Sequence, residues 1–291
     1  MKTAYIFTGQ GSQYAGMGKD LLTINPKAEQ YLSHANNIIG FDIAAVLLEG
    51  SDEDLRQTRI TQPAVFLYST IKAQLLNIKP HMLAGHSLGE FSALVAAGTL
   101  AFDDALQLVY QRAIAMQAAC DATPSTMAAV IGFDDTQTEN ILKTITDDIC
   151  VPANYNCPGQ LVISGTQSGI RTAITLLKEA GARRVLPLPV NGAFHSPLMD
   201  SAKKALEKAI RNTTFQRPIC PIYQNTDAQP TQDPATIQEK LIAQLTAPVR
   251  WTQTIQNMIA DGATQFHEIG PKPTLTTFVR KIDTTVQVIE E

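Results

Sequence analysis

The chain has little of what marks an exported, membrane-spanning or nucleic-acid-binding protein. Only 17% of its 291 residues are charged, the formal net charge is -4, and the pI is near 5.8. A nucleic-acid surface needs a basic face, so this balance argues against one. The four cysteines, Cys120, Cys150, Cys157 and Cys220, include no CxxC pair. Zinc is therefore not expected, and the cysteines read as reduced structural residues. No apolar run approaches the length of a membrane span. The first residues, MKTAYIFTGQ, lack both a long apolar stretch and a cleavage-site pattern, so they read as a buried strand rather than an export signal, and a cytoplasmic location is expected. Internal repeats and low-complexity linkers are missing too. What remains is an ordinary globular mixture, 44% hydrophobic, long enough for one large core or for a core with a smaller domain attached.

Short apolar runs alternate with helical periods, which predicts an α/β fold. TAYIFT (3–8) and HMLAG (81–85) read as buried strands. Helices are expected over 61–76, with Thr61 as cap and Pro63 in the first turn, over 88–100, and over 102–120. Residues 125–192 read as strand, helix, two strands across a Cys-Pro turn, helix, strand. That β-α-β-β-α-β order is the pattern of a ferredoxin-like unit. It interrupts a larger α/β pattern, so the expected organisation is one large domain, 1–124 plus 193–291, carrying an inserted small domain over 125–192. After the insertion come a helix (197–211), a strand (221–225), a helix (248–261), a strand (264–270) and a last helix from Pro273.

Gly85-His86-Ser87-Leu88-Gly89 sits between a predicted strand and a predicted helix. A serine there is raised above the strand ends on a turn too tight for neighbouring β-carbons. It lies at the positive end of a helix, with the Leu88 N–H aimed where an oxyanion would form. A serine hydroxyl needs a base. Of five histidines, His86 points away from its neighbour at a tight turn, His34 lies on a polar helix, His81 begins a strand at the far end, and His267 lies within a strand. His195, in the loop NGAFHSPLMD (191–200) that returns from the insertion, is the candidate. No clear loop acid precedes it, so a dyad with a backbone carbonyl behind the histidine suits better than a triad.

Two further positions stay open on the residues alone. The turn Gly9-Gln10-Gly11-Ser12-Gln13 follows the first strand and permits close backbone approach to a ligand, but no Gly-Lys-Ser/Thr follows, so it is not a phosphate loop. It is either a simple turn or one side of the cavity, with Gln10 aimed inward. Arg112 falls about 40° beyond Met116 on a helical wheel, at the edge of the apolar stripe. There it either snorkels to water or grips a carboxylate with its two-pronged guanidinium.

Taken together, GQGSQ (9–13), TQPA (61–64), GHSLGE (85–90), QRAIAMQ (111–117), NCPGQLVISG (156–165), GAFHS (192–196), PVRW (248–251) and EIGP (268–271) resemble the malonyl-CoA:acyl carrier protein acyltransferase family. The resemblance runs from about residue 3 to 280 and implies a hydrolase-like parallel-sheet domain with a ferredoxin-like insertion. It implies that Ser87 carries the acyl group, that His195 is its base, and that Leu88 and Gln10 stabilise the oxyanion. Arg112 would bind the free malonyl carboxylate and the backbone carbonyl of Arg250 would orient His195. Asn156 would border the site from a loop. Phe194, just before His195, goes with malonyl rather than methylmalonyl. The implied partners are malonyl-CoA and the phosphopantetheine thiol of an acyl carrier protein, in fatty-acid or polyketide synthesis, with no cofactor, nucleic acid or membrane involved. Lys203, Lys204, Lys208, Arg211, Arg183 and Arg184 are candidate contacts for an acidic carrier. The alternatives are an acyl hydrolase that clears carriers and a docking module without catalysis. Thr8, where Pro is common, Arg250, where some members have Gln, and Lys272-Pro273 after EIGP depart from the usual pattern.

Overall fold

A computed structural model describes residues 2–291. Its strands in chain order are β1 (Lys2–Phe7), β2 (Met82–Gly85), β3 (Ser125–Ile131), β4 (Cys150–Cys157), β5 (Gln160–Thr166), β6 (Arg184–Pro187), β7 (Ile222–Tyr223), β8 (Pro230–Thr231), β9 (Ala263–Ile269) and β10 (Gln287–Glu290). They form two sheets. One has six strands in the order β10-β9-β1-β2-β7-β8, parallel except for the β7–β8 pair. The other is antiparallel, in the order β4-β5-β3-β6.

The parallel sheet is buried on both faces, and its side chains divide with period two. Phe7, Leu83, Ile222 and Ile269 enter the larger core, beneath the helices Thr58–Leu75 and Phe102–Ala122. Ala4, Ile6, Met82, Ala84 and Phe266 enter the opposite core, beneath the helices Trp251–Ala260 and Leu275–Ile282. The antiparallel sheet also has two apolar faces. One packs on the helices Asp135–Leu142 and Gln167–Glu179; the other, with Met127, Ala129, Ala153 and Val162, meets Phe194. A parallel bridge between Asn154 and Val249 joins β4 to the segment before helix Trp251–Ala260, with Tyr155 N–H donating to the Val249 carbonyl at 2.9 Å and Val249 N–H to the Ala153 carbonyl at 2.8 Å.

Several expected boundaries move. The first long helix begins at Thr58, so Pro63 lies inside it and Thr61 is not its cap. Thr61 Oγ instead donates back to the Gln57 carbonyl at 3.0 Å, and the proline ring leaves one carbonyl a turn earlier without its N–H donor. The helix after Ser87 runs only over Gly89–Ala96, ending before Gly98 at φ +70°. The stretch 221–225 contributes only two residues to a strand. Helices Met17–Ile24, Ile43–Glu49 and Pro234–Ala243, and the edge strand β10, have no counterpart in the sequence reading, whereas the polar helix expected around His34 runs over Ala28–Ile39.

Candidate active site

The carboxyl ends of β1, β2, β7 and β9 lie side by side, where open parallel sheets present their ligand crevices. Each contributes a turn. Ser87 follows β2 with φ +51°, a left-handed conformation that a residue with a β-carbon adopts only when its surroundings enforce it. The neighbouring glycines show part of what enforces it. A Cβ on Gly85 would stand 2.0 Å from the Gly89 carbonyl carbon, and one on Gly89 would stand 2.2 Å from the Phe7 carbonyl oxygen. The β2-to-helix turn is therefore wedged against β1.

His195 is the second residue of the site held at positive φ, +59°. It is 4% exposed, and the Ser87 hydroxyl lies 2.8 Å from its Nε2. Behind the ring, Nδ1 lies 3.0 Å from the Gln244 carbonyl and 3.2 Å from the Ala247 carbonyl. Carbonyl oxygens only accept, so Nδ1 carries the proton and Nε2 presents its lone pair to Ser87. This is the tautomer a general base needs. The expected role of Arg250 is overturned: its carbonyl accepts the Thr254 N–H at 2.9 Å, in the first turn of helix Trp251–Ala260. The carbonyl contact comes from the 3-10 turn Gln244–Thr246 and the residue after it.

Arg112 is buried, 1% exposed, so it does not snorkel. Its helix is packed on one side by Thr58–Leu75 and on another by Asp200–Asn212, which widens the buried face beyond the stripe seen on the wheel. Its Nη1 donates to Gln62 Oε1 at 2.7 Å, and its Nη2 donates to Gln244 Oε1 and to Ser87 Oγ, both at 3.2 Å. Nε is buried without a partner. A fixed guanidinium with donor capacity to spare, in contact with the serine, is what an anionic group bound beside that serine requires. Burial lowers the Arg112 pKa to about 10, against the opposing effect of Glu90, so it remains a cation near neutrality.

The same burial acts on His195. Desolvation first, and then the Arg112 charge, push its pKa down to about 3. Imidazole is the base only when neutral. The acid limb of kcat/KM is therefore expected below about pH 5, well under the ordinary histidine value. A pH profile of acyl loading checks this; an inflection near the unperturbed value would show an imidazole in contact with water.

The oxyanion side can also be narrowed. The Ser87 N–H is committed to Asn225 Oδ1 at 2.7 Å, so it does not serve an oxyanion. Among the described residues, neither the Leu88 N–H nor the Gln10 N–H has a partner within the chain. Gln10's turn lies against the elbow, because a Cβ on Gly9 would meet the His86 carbonyl oxygen at 2.5 Å. Two backbone N–H groups in the turns that meet at the elbow thus remain free to donate. Asn156 lies in β4 rather than in a loop, and it reaches the site only through His86, whose Nε2 is 2.9 Å from Asn156 Oδ1. Phe194 is half-buried against both the large core and the small sheet, and a Cβ on Gly192 would lie 2.9 Å from its ring. Thr8, at the end of β1, lies against Gly270, where a Cβ would come within 1.8 Å of its hydroxyl. The remaining histidines lie in other settings: His34 pairs with exposed Asp103, His81 accepts the Thr3 N–H, and His267 pairs with Glu291 and stacks on Tyr5. Of the candidate carrier contacts, Lys204 is paired with Asp200, and Arg211 with Glu207 and Glu239.

Sequence reading missed Gln62, Gln244 and Asn225. Each is a polar residue in a buried setting, and Gln62 stands amid a buried helical run, which was the one available signal.

The comparisons with known proteins agree with one another. The acyl transferase domain family matches residues 4–289. The chain is 40% identical to the malonyl CoA-acyl carrier protein transacylase of Bacillus subtilis (strain 168), over 99% of this chain and 92% of that one. A crystal structure of an acyl carrier protein S-malonyltransferase from Vibrio cholerae O1 biovar eltor superposes with a TM-score of 0.96 at 38% identity, covering 100% of this chain and 97% of that one. A malonyl-transacylase in complex with its type II PKS acyl-carrier protein superposes with a TM-score of 0.96 at 36% identity, covering 100% of this chain and 96% of that one.

Proposed function

This chain belongs to the malonyl CoA-acyl carrier protein transacylase family of acyl transferases, and from that membership we propose that it moves a malonyl group from malonyl-CoA to the phosphopantetheine thiol of an acyl carrier protein through an ester on Ser87. The observation that carries the residue roles is the Ser87–His195 contact of 2.8 Å, with Arg112 on the same hydroxyl. In the first half-reaction Ser87 Oγ attacks the thioester carbonyl as its proton passes to His195 Nε2. The C–S bond breaks and that proton goes to the departing sulfur of CoA. In the second, the carrier thiol gives its proton to Nε2 and its sulfur attacks the ester; the C–O bond breaks and Ser87 regains the proton. Leu88 and Gln10 N–H groups receive the oxyanion in both. These steps balance with the chain's own groups, and the reading invokes no cofactor.

Arg112 selects the acyl group by pairing with the malonyl carboxylate, and Phe194 narrows the space an α-methyl would take. One methyl is worth only about 1–3 kcal/mol, so methylmalonyl is disfavoured rather than refused. The paired glutamines around Arg112 fix a clamp for an anionic acyl group, and the similarity to malonyl-transacylases that act with acyl carrier proteins favours transfer to a carrier over hydrolysis. The architecture reads as a hydrolase-like domain with a ferredoxin-like insertion over 125–192; the β-α-β-β-α-β order and the β4-β5-β3-β6 sheet support it. No described helix is long and apolar enough to cross a membrane, and we place the reaction in the cytoplasm, in fatty-acid or polyketide synthesis.

Intact-mass analysis after mixing with malonyl-CoA tests the reading. One malonyl adduct, removed on adding a phosphopantetheinyl carrier protein, is the expected result. An unmodified mass at high malonyl-CoA would overturn it.

A further inference from the structure

Asn225 lies just past the end of β7 and is 1% exposed. Its side-chain amide spans the nucleophile turn. Oδ1 accepts the Ser87 N–H at 2.7 Å, and Nδ2 donates to the Gly85 carbonyl at 2.7 Å. These partners leave no freedom in the amide's orientation, since a carbonyl cannot donate and an N–H cannot accept. Asn225 is held in turn. Its own N–H donates to Glu90 Oε2 at 2.9 Å, and the adjacent Gln224 Nε2 donates to Glu90 Oε1 at 2.9 Å. Glu90 belongs to the helix that starts directly after Ser87, so the turn is gripped both before and after the serine. On the other side, the Asn225 carbonyl accepts the Arg250 N–H at 3.0 Å, on the segment that follows the carbonyls behind His195.

We propose that Asn225 is a positioning residue for acyl transfer: it holds Ser87 in its left-handed conformation and fixes the hydroxyl at hydrogen-bond distance from His195. This rests on Ser87 being the nucleophile. The physical reason is local. A serine at φ +51° is strained relative to an ordinary backbone. Two short hydrogen bonds from one buried, anchored amide offset that strain and set the direction of Cα–Cβ. Without them the turn relaxes toward the ordinary basin and Oγ swings off the imidazole.

Asn225→Asp is the sharp test because it keeps the shape and removes one donor. As a carboxylate, the introduced side chain accepts the Ser87 N–H but opposes the Gly85 carbonyl and faces Glu90. As a neutral acid, its O–H replaces Nδ2 and restores both bonds. The other ionisable groups near the turn, Glu90, His86, His195, Arg112 and Arg250, are common to both proteins, so a difference in pH profile belongs to the new carboxyl and its coupling to Glu90.

Acylation by malonyl-CoA, quenched at timed intervals and read by intact mass, is expected to be about 30-fold slower than wild type near pH 8, with KM within about twofold. The rate is expected to rise as pH falls and the carboxyl takes up its proton, over a range where wild type is flat. Equal rates near pH 8, a loss that low pH does not relieve, or a loss confined to KM would each overturn the inference. If the variant does not fold, nitrogen-edited NMR on the wild-type protein decides: the Ser87 amide is expected to exchange slowly with solvent, and exchange at the rate of an open amide overturns the proposal. A wild-type protein that takes up no malonyl group would instead overturn the proposed function, so the two failures are distinct.

Discussion

Ser87→Ala is expected to lower malonyl transfer by on the order of 10⁵-fold or more, the scale seen when a nucleophile is removed from a working hydrolase site. The loss should be chemical rather than structural. Alanine keeps the β-carbon and so meets the same backbone cost at φ +51°. The hydroxyl's removal leaves Arg112 Nη2 still bonded to Gln244 Oε1 at 3.2 Å and His195 Nδ1 still at the Gln244 carbonyl at 3.0 Å. His195 Nε2 is left without a partner and Arg112 Nη2 keeps one of its two, a change of about 1 kcal/mol in stability. Ser87→Gly separates the two effects further. It should be equally inactive yet more stable than Ser87→Ala by about 1 kcal/mol, because glycine has no penalty in the left-handed region. Denaturant unfolding reads the stabilities, and malonyl-CoA loading by intact mass reads the chemistry. Transfer within tenfold of wild type in Ser87→Ala would place the nucleophile elsewhere.

That residue was legible in the sequence because its environment is local. A strand, a tight Gly-x-Ser-x-Gly turn and a helix are contiguous, and the steric demand on Gly85 and Gly89 is written within five positions. His195 was legible for a weaker reason, as a loop histidine between two recognisable units. The short apolar run of β1 likewise announces a strand buried on both faces. What the sequence does not display is how separate segments meet. Gln244 serves three groups at once: its carbonyl holds His195, its Oε1 holds Arg112 and its Nε2 donates to the Ser87 carbonyl at 3.0 Å. It lies 157 residues from Ser87, in a short 3-10 turn with no periodic pattern. The expectation for Arg250 failed there, since one position in a loop looks much like another until the next helix claims its carbonyl. The wheel puts Arg112 at the rim because it counts one packed face, whereas its helix is covered on several sides, by Thr58–Leu75 and Asp200–Asn212 above all.

Arg112→Gln is expected to reduce loading from malonyl-CoA by about 10²–10³-fold while loading from acetyl-CoA changes by less than about tenfold. The asymmetry follows from where the guanidinium acts. A buried carboxylate that loses its cationic partner is destabilised by about 3–5 kcal/mol, and each 1.36 kcal/mol is a factor of ten in rate. Acetyl carries no such charge, so it loses only the hydrogen bond from Nη2 to Ser87 Oγ at 3.2 Å. The ratio of the two donors, rather than either rate alone, is therefore the measure of the clamp. It also cancels structural losses common to both. Those are real: Gln62 Oε1 and Gln244 Oε1 each forfeit a donor, and Glu90, whose carboxyl burial pushes up, forfeits a nearby cation that pulled it down. A glutamine has two N–H donors on a shorter, uncharged side chain in place of the guanidinium's five, so it does not reproduce the charge-assisted bonds to the two oxygens, and a stability decrease of about 1–3 kcal/mol is expected alongside. Parallel loading assays with malonyl-CoA and acetyl-CoA, on protein whose folded fraction is checked by thermal unfolding, read the ratio. Equal losses for both donors would leave Arg112 as a support for Ser87 and remove it from recognition of the carboxylate.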